Sequence, residues 1–188
     1  MDYAVTTAPT TEPVSLEEAK VFLRTIGDDV SEDDAVLTPV ISAAREYCEN
    51  VTGRSLTPQT VTAYPSSFTT TMLLPRPPVV EVLAVRYRDE SGVAQVVDPS
   101  KYVVNTFEGT ITMLDIPQFK PYPANPYEIE YVTGYTKEQL PRAIRQAILM
   151  LLTHWYDNRE AIAAGSRFNL VEVGLVPTLL KQYKVWWF

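Results

Sequence analysis

Residues 140–160, LPRAIRQAILMLLTHWYDNRE, constrain the fold more than any other stretch. Leu140, Ile144, Ala147, Ile148, Leu151, Leu152 and Trp155 recur at steps of three and four, the period of a helix with one buried face. Leu149 and Met150 widen that face until the middle turns keep little polar surface. A helix so nearly apolar all round belongs at the centre of a core or of an assembly. Pro141 suits a first turn, where its missing N–H would have had no intrahelical partner. Arg159 suits a last turn, at the negative end of the helix dipole.

The rest of the chain has enough apolar material to enclose such a helix. Of 188 residues, 46% are hydrophobic and 21% charged, which fits a globular protein with a sizeable core. The longest unbroken apolar run, 147–152, is far shorter than the roughly 20 residues a membrane span needs. No charged-then-apolar leader opens the sequence, so no secretory signal is expected. Cys48 is the single cysteine, which excludes an internal disulfide. Its place in a helical stripe predicts core packing in a reducing compartment.

The net charge of −7 is unevenly spread. Residues 1–60 carry −7, residues 61–136 carry −3 and residues 137–188 carry +3. An acidic chain of this kind is a poor wrapper of nucleic acid, which needs a basic surface to displace counterions. An acidic front and a basic back suit head-to-tail contacts between copies, or simply a solvated, soluble surface.

The fold class expected is α+β: a helical scaffold carrying an inserted antiparallel β module. Residues 1–13, rich in Thr and Pro without periodicity, are expected to be a flexible arm. A helical core is expected over 14–56 and 137–160. Ser15 and Glu18 form a capping box that opens a helix running to about Ile26, stopped by Gly27. Ser31, with Glu32, Asp33 and Asp34 behind it, caps a second helix that ends at Gly53 and should kink at Pro39. The β module is expected over 57–136, where the helical period disappears; eleven of the fifteen prolines fall from Pro58 to Pro141, ten of them within this stretch. Strand-like runs lie at 59–64, 70–74, 79–88, 94–97, 101–105, 110–114 and 127–133. In the third, Leu83, Val85 and Tyr87 should face a core, with Arg86 and Arg88 wet; in the last, Glu128 and Glu130 should be wet. Residues 89–92, DESG, read as a hairpin turn. The four-proline loop 117–126 carries Phe119 and Tyr122, suited to packing on a neighbour. Residues 161–188 are expected to be a loop, a short helix and a tail. Its last three residues, Trp186, Trp187 and Phe188, stand beside Lys181 and Lys184, the composition of an interface anchor. The tail either folds back onto its own core or docks on a partner; docking is the preferred reading.

Catalytic residues are hard to find. His154 is the only histidine, so no multi-histidine metal site exists. It sits in the central helix beside Trp155, a packing position, and no serine or cysteine nucleophile lies in a recognisable turn motif. The glycines are too dispersed to cradle a phosphate. Asp29, Glu32, Asp33 and Asp34 lack the alternating spacing and central glycine of a calcium loop, so helix capping explains them better. No catalytic residue, metal or cofactor is therefore assigned.

The order of the segments resembles the phage head–tail connector (adaptor) proteins. The resemblance rests on Ser15-Leu-Glu-Glu-Ala-Lys20 with Phe22-Leu23-Arg24, and on Glu32–Asp34 followed by Ile41, Ala43-Ala44-Arg45, Glu49 and Thr52-Gly-Arg-Ser-Leu56. It continues in Leu74-Pro-Arg-Pro-Pro-Val79, and in Gly134-Tyr135 followed by Pro141, Ile144, Ala147-Ile148, Leu152, Tyr156 and Asn158-Arg-Glu160. The end, Leu179-Leu180 with Tyr183-Lys184, belongs to the same pattern. Pro39 and the aromatic 186–188 end depart from it.

The resemblance implies a non-enzymatic subunit of a twelve-membered ring beneath the portal, in the virion neck, assembled in the host cytoplasm. The ring extends the DNA channel and joins the capsid to the next connector or tail protein. DNA passes through without specific binding, and no membrane is involved. Leu179, Leu180, Lys181, Tyr183, Lys184, Trp186, Trp187 and Phe188 are the expected portal-binding residues. Asp28, Asp29, Glu32, Asp33, Asp34, Arg159 and Glu160 are expected at subunit contacts or along the channel. The alternatives are a DNA-binding packaging protein and a small enzyme with its site in the β module.

Overall fold

The computed structural model describes residues 1–24, 30–157 and 175–185, with the backbone alone over 30–33. The chain divides into two compact units, one built from 1–10 and 57–135 and the other from 11–56 and 136–188. It is an α+β protein, as expected from the sequence.

The first unit holds eight strands: β1 (Asp2–Thr7), β2 (Gln59–Tyr64), β3 (Thr71–Leu73), β4 (Val79–Arg88), β5 (Ala94–Val96), β6 (Tyr102–Asn105), β7 (Thr110–Met113) and β8 (Tyr127–Thr133). Two antiparallel sheets form, in the orders β1-β2-β8-β4-β5 and β3-β7-β6. Their inner faces share one core, with Val61, Val85, Ile129 and Tyr131 from the larger sheet and Met72, Ile111 and Met113 from the smaller. The turn at 89–92 closes as expected. Asp89 Oδ1 accepts from the Ser91 and Val93 amides, and Gly92 takes φ +80°.

Three expectations need correction here. The N-terminal residues expected as an unstructured arm include β1, which pairs with β2 from Asp2↔Tyr64 to Thr7↔Thr60. Leu83 does not face the core: it is 49% exposed. The register between β4 and β8 shifts between Val82 and Ala84, and this bulge turns Val82 inward in its place. The proline loop packs on its own unit, with Phe119 stacked on Tyr87 at 4.2 Å and edge-on to Tyr127 at 5.7 Å.

The second unit holds α1 (Leu16–Leu23), α2 (Val30–Thr52), α3 (Arg142–Asp157) and α4 (Val176–Lys181) among the described residues. Ser15 caps α1 by accepting from the Glu18 amide, as its sequence predicts. The helix ends earlier than expected, at Arg24 in the left-handed conformation; Gly27 lies outside the described residues. α2 runs through Pro39 without ending. Gly53 stops it at φ +70°, its amide returning to the Glu49 carbonyl at 2.8 Å. α3 is the central element anticipated, packing against α1, α2 and α4. Ile144, Ala147, Ile148, Leu149, Leu151 and Leu152 are its buried residues.

Candidate functional site

The most developed polar arrangement in the helical unit lies around the end of α2. A helix leaves its last carbonyls without intrahelical partners, and the turn that follows has N–H groups to place. Glu49, 5% exposed, meets one of these needs: its Oε1 accepts the Leu56 amide at 2.8 Å. Its Oε2 accepts from Arg45 Nη1 at 3.0 Å. Arg45, 6% exposed, also donates from Nε to Glu12 Oε2 at 2.9 Å. Glu12 Oε1 in turn accepts the Ser42 hydroxyl at 2.8 Å. Glu12 and Glu49 therefore hydrogen-bond one buried guanidinium, with the exposed Glu46 carboxylate 3.5 Å from its Nη2, a pattern that tolerates burial because each charge has partners.

The C-terminal segment reaches the same helix end. The Val185 amide donates to the Thr52 carbonyl at 2.8 Å, and Arg54 Nε donates to the Tyr183 carbonyl at 2.6 Å. The expected portal-binding residues thus divide. Leu180 is fully buried and belongs to the core of its own unit, so it drops out of any docking surface. Leu179 and Tyr183 are half-buried, while Lys181 and Lys184 are exposed. Up to Val185 the tail is seated on its own unit; Trp186, Trp187 and Phe188 lie outside the described residues. Arg54, missed as a site residue, had one visible signal: it stands directly after the Gly53 stop within Thr52-Gly-Arg-Ser-Leu56.

Of the expected subunit-contact residues, Asp34 pairs with Lys20 and so links α2 to α1. Glu32 and Asp33 lie in the first turn of α2, where only the backbone is described. Asp28, Asp29, Arg159 and Glu160 lie outside the described residues.

In the β unit, Arg86 pairs with Glu130 at 2.8 Å and Arg88 with Glu128 at 2.7 Å, a cross-strand ladder on the wet face. A cleft of about 550 Å³ runs beside Tyr64, Pro65, Tyr122, Pro123 and Asn125, with Asp2 as its acidic group. Among the described residues no group of three or more His, Cys, Asp or Glu is placed to hold a metal ion. Among them, too, no helix is long and apolar enough to cross a membrane. Cys48 is buried, and loss of hydration, helped by the charge of Glu49, pushes its thiol up to about 12. A thiol so hard to ionise is a poor nucleophile.

Gly134 explains part of the Gly134-Tyr135 pattern. It takes φ +121°, and a Cβ there would meet the Thr57 carbonyl oxygen at 2.1 Å, so only glycine fits.

Comparison with known proteins adds the following. The model of the head completion protein family matches residues 14–167. Among solved structures, a chain in the neck of an empty gene transfer agent (GTA) particle, computed with C6 symmetry, superposes with a TM-score of 0.77 at 22% identity. A chain in the virion of the native particle gives 0.76 at 20%. A chain in the neck of the native particle, computed with C12 symmetry, gives 0.77 at 20%. Each comparison covers 100% of this chain and 97% of the other. At such identities the likeness is one of fold. No curated protein matches the sequence.

Proposed function

The chain belongs to the head completion protein family, and from that premise we infer that it is a structural subunit of the virion neck, joining head to tail. The observation that carries this reading is the family match over residues 14–167, which takes in most of both compact units. The subunit works as one member of a homo-oligomeric ring, a reading supported by the fold it shares with chains from necks of C6 and C12 symmetry. Contacts of this sort are heterologous and must close by rotation, since otherwise a filament results. In the finer reading, the helical unit is the scaffold of the ring and the β unit is an insert within it. DNA slides through the ring, and its walls gain from weak phosphate contact, because several such contacts would hold it.

The tail is the portal anchor in this reading. Leu179, Lys181, Tyr183 and Lys184 form the seated part, and Trp186, Trp187 and Phe188 supply large aromatic contacts of the kind that dominate binding. Asp28, Asp29, Glu32 and Asp33 line the channel or meet the basic end of a neighbour, with Arg159 and Glu160 at a subunit contact. The next connector or tail protein binds on the other side of the ring.

The test is removal of residues 186–188, which leaves the seat at 183–185 in place. The shortened protein is expected to fold with an unchanged thermal midpoint and to lose binding to isolated portal rings, measured by native mass spectrometry with and without portal. Portal binding at full strength by the shortened protein would show that the anchor lies elsewhere.

A further inference from the structure

We propose that Arg54 is a positioning residue that, with the Thr52 carbonyl, seats the C-terminal segment on the end of α2 and so sets where the aromatic anchor leaves the subunit. The inference rests on the tail being the portal anchor.

Two hydrogen bonds carry it, and they bracket a single residue. Arg54 Nε holds the Tyr183 carbonyl at 2.6 Å, and the Thr52 carbonyl holds the Val185 amide at 2.8 Å. The first is charge-assisted, and therefore stronger than a bond between neutral groups. The second uses a carbonyl that the end of a helix leaves without an intrahelical partner. The seat is itself built rigidly. Thr52 is fully buried, and its hydroxyl donates to the Cys48 carbonyl at 2.7 Å. Gly53 turns the chain with φ +70°, which brings Arg54 out of the helix just beyond its last turn. On the tail side, α4 delivers the chain through the buried Val176 and Leu180, and the Tyr183 amide returns to the Leu180 carbonyl at 2.9 Å.

The consequence is energetic. A free tail must lose backbone freedom when a partner captures it, and that loss is subtracted from affinity. A tail fixed at residues 183 and 185 has already lost it, so the three residues that follow start from a defined point. In a ring this matters for each copy, because every anchor must meet its own site on the partner at the same time.

Arg54→Ala and, independently, Val185→Pro each remove one of the two bonds and keep all three terminal aromatics. Each is expected to speed amide exchange in the C-terminal peptide by about tenfold, and to weaken portal binding roughly tenfold or more, without moving the thermal midpoint or self-association. Arg54→Lys keeps the charge but lacks the Nε geometry, and should recover part of the binding. Should both single variants bind portal as the parent does, while removal of 186–188 abolishes binding, the anchor reading stands and the seat has no role. Should removal of 186–188 leave binding intact, the anchor reading falls and the seat falls with it. If Arg54→Ala does not fold, Val185→Pro alone decides between these outcomes.

Discussion

The β unit keeps Arg86–Glu130 and Arg88–Glu128 half-exposed on a sheet face, whereas the helical unit takes Arg45 and Glu49 almost wholly out of water. The difference follows from where each architecture leaves its polar backbone. Strands satisfy one another along the ladders, so the β unit needs few buried side-chain partners and leaves its charges in solvent. Helices satisfy only their interiors. At the end of α2 the Leu56 amide goes to a buried carboxylate, and the Thr52 carbonyl goes to the tail. A buried charge in one unit and a seated tail are both answers to an unfinished helix end. The C-terminal segment is thereby attached at the point where the fold had bonds to spare.

That contrast can be broken most severely in the β unit. Gly134→Ala places a Cβ against the Thr57 carbonyl oxygen at a residue with φ +121°. It should cost about 4 kcal/mol or more, seen as a large fall in the urea midpoint or as insoluble protein. Next comes Glu49→Ala, which strips Arg45 of one carboxylate and leaves the Leu56 amide without its acceptor. A loss of about 3–5 kcal/mol is expected. Cys48 offers a direct reading of it, because the parent thiol is buried and should react with thiol reagents only when the helical unit opens. Labelling at pH 8 should therefore be much faster in Glu49→Ala.

Alkaline pH sharpens the comparison, because each unit holds one buried acid that resists ionisation. Burial raises the Cys48 thiol to about 12 in the helical unit. In the β unit burial raises the Tyr131 phenol even further; its hydroxyl donates to the Pro75 carbonyl at 2.6 Å. In the unfolded chain these groups ionise near their ordinary values, about 8.5 for a thiol and 10 for a phenol. Above those values the unfolded state binds fewer protons than the folded one, so stability falls as pH rises. The thiol's share is complete below about pH 8.5 and is lost as pH climbs towards 12. Cys48→Ala should flatten the decline between pH 9 and 10, and Tyr131→Phe the part above pH 10, in melting curves taken across that range. The smallest effect is expected for Arg86→Ala: about 0.2–1 kcal/mol in a denaturant titration, weakened further by salt.

Local signals were the legible ones. Alternation located β4 and β8, and the three-and-four spacing located α3, because each pattern reflects neighbours within a turn or a pleat. The Ser15 cap and the Gly53 stop were visible for the same reason. Leu83 was misread because a bulge inserts a residue into the alternation, and only pairing with β8 reveals it. Arg45 and Glu49 stood in the sequence as pattern residues, but their burial depends on Glu12, 33 residues before Arg45. The Arg54 seat joins residues 129 apart, a separation at which no spacing rule operates.

The amino-acid order alone determined most of the helical and strand segments, the α+β class, the absence of an internal disulfide, and a pattern of residues sufficient to suggest the family. Folding in three dimensions decided the rest. It made a strand of Asp2–Thr7, whose residues are all exposed and whose order comes from hydrogen bonds to β2. It chose which charges are buried, and it placed the tail on the end of α2. The physical reason is the range of the forces. Propensity and periodicity act between residues a few positions apart, whereas ladder bonds, buried ion pairs and helix-end partners form between groups that only the folded chain brings together.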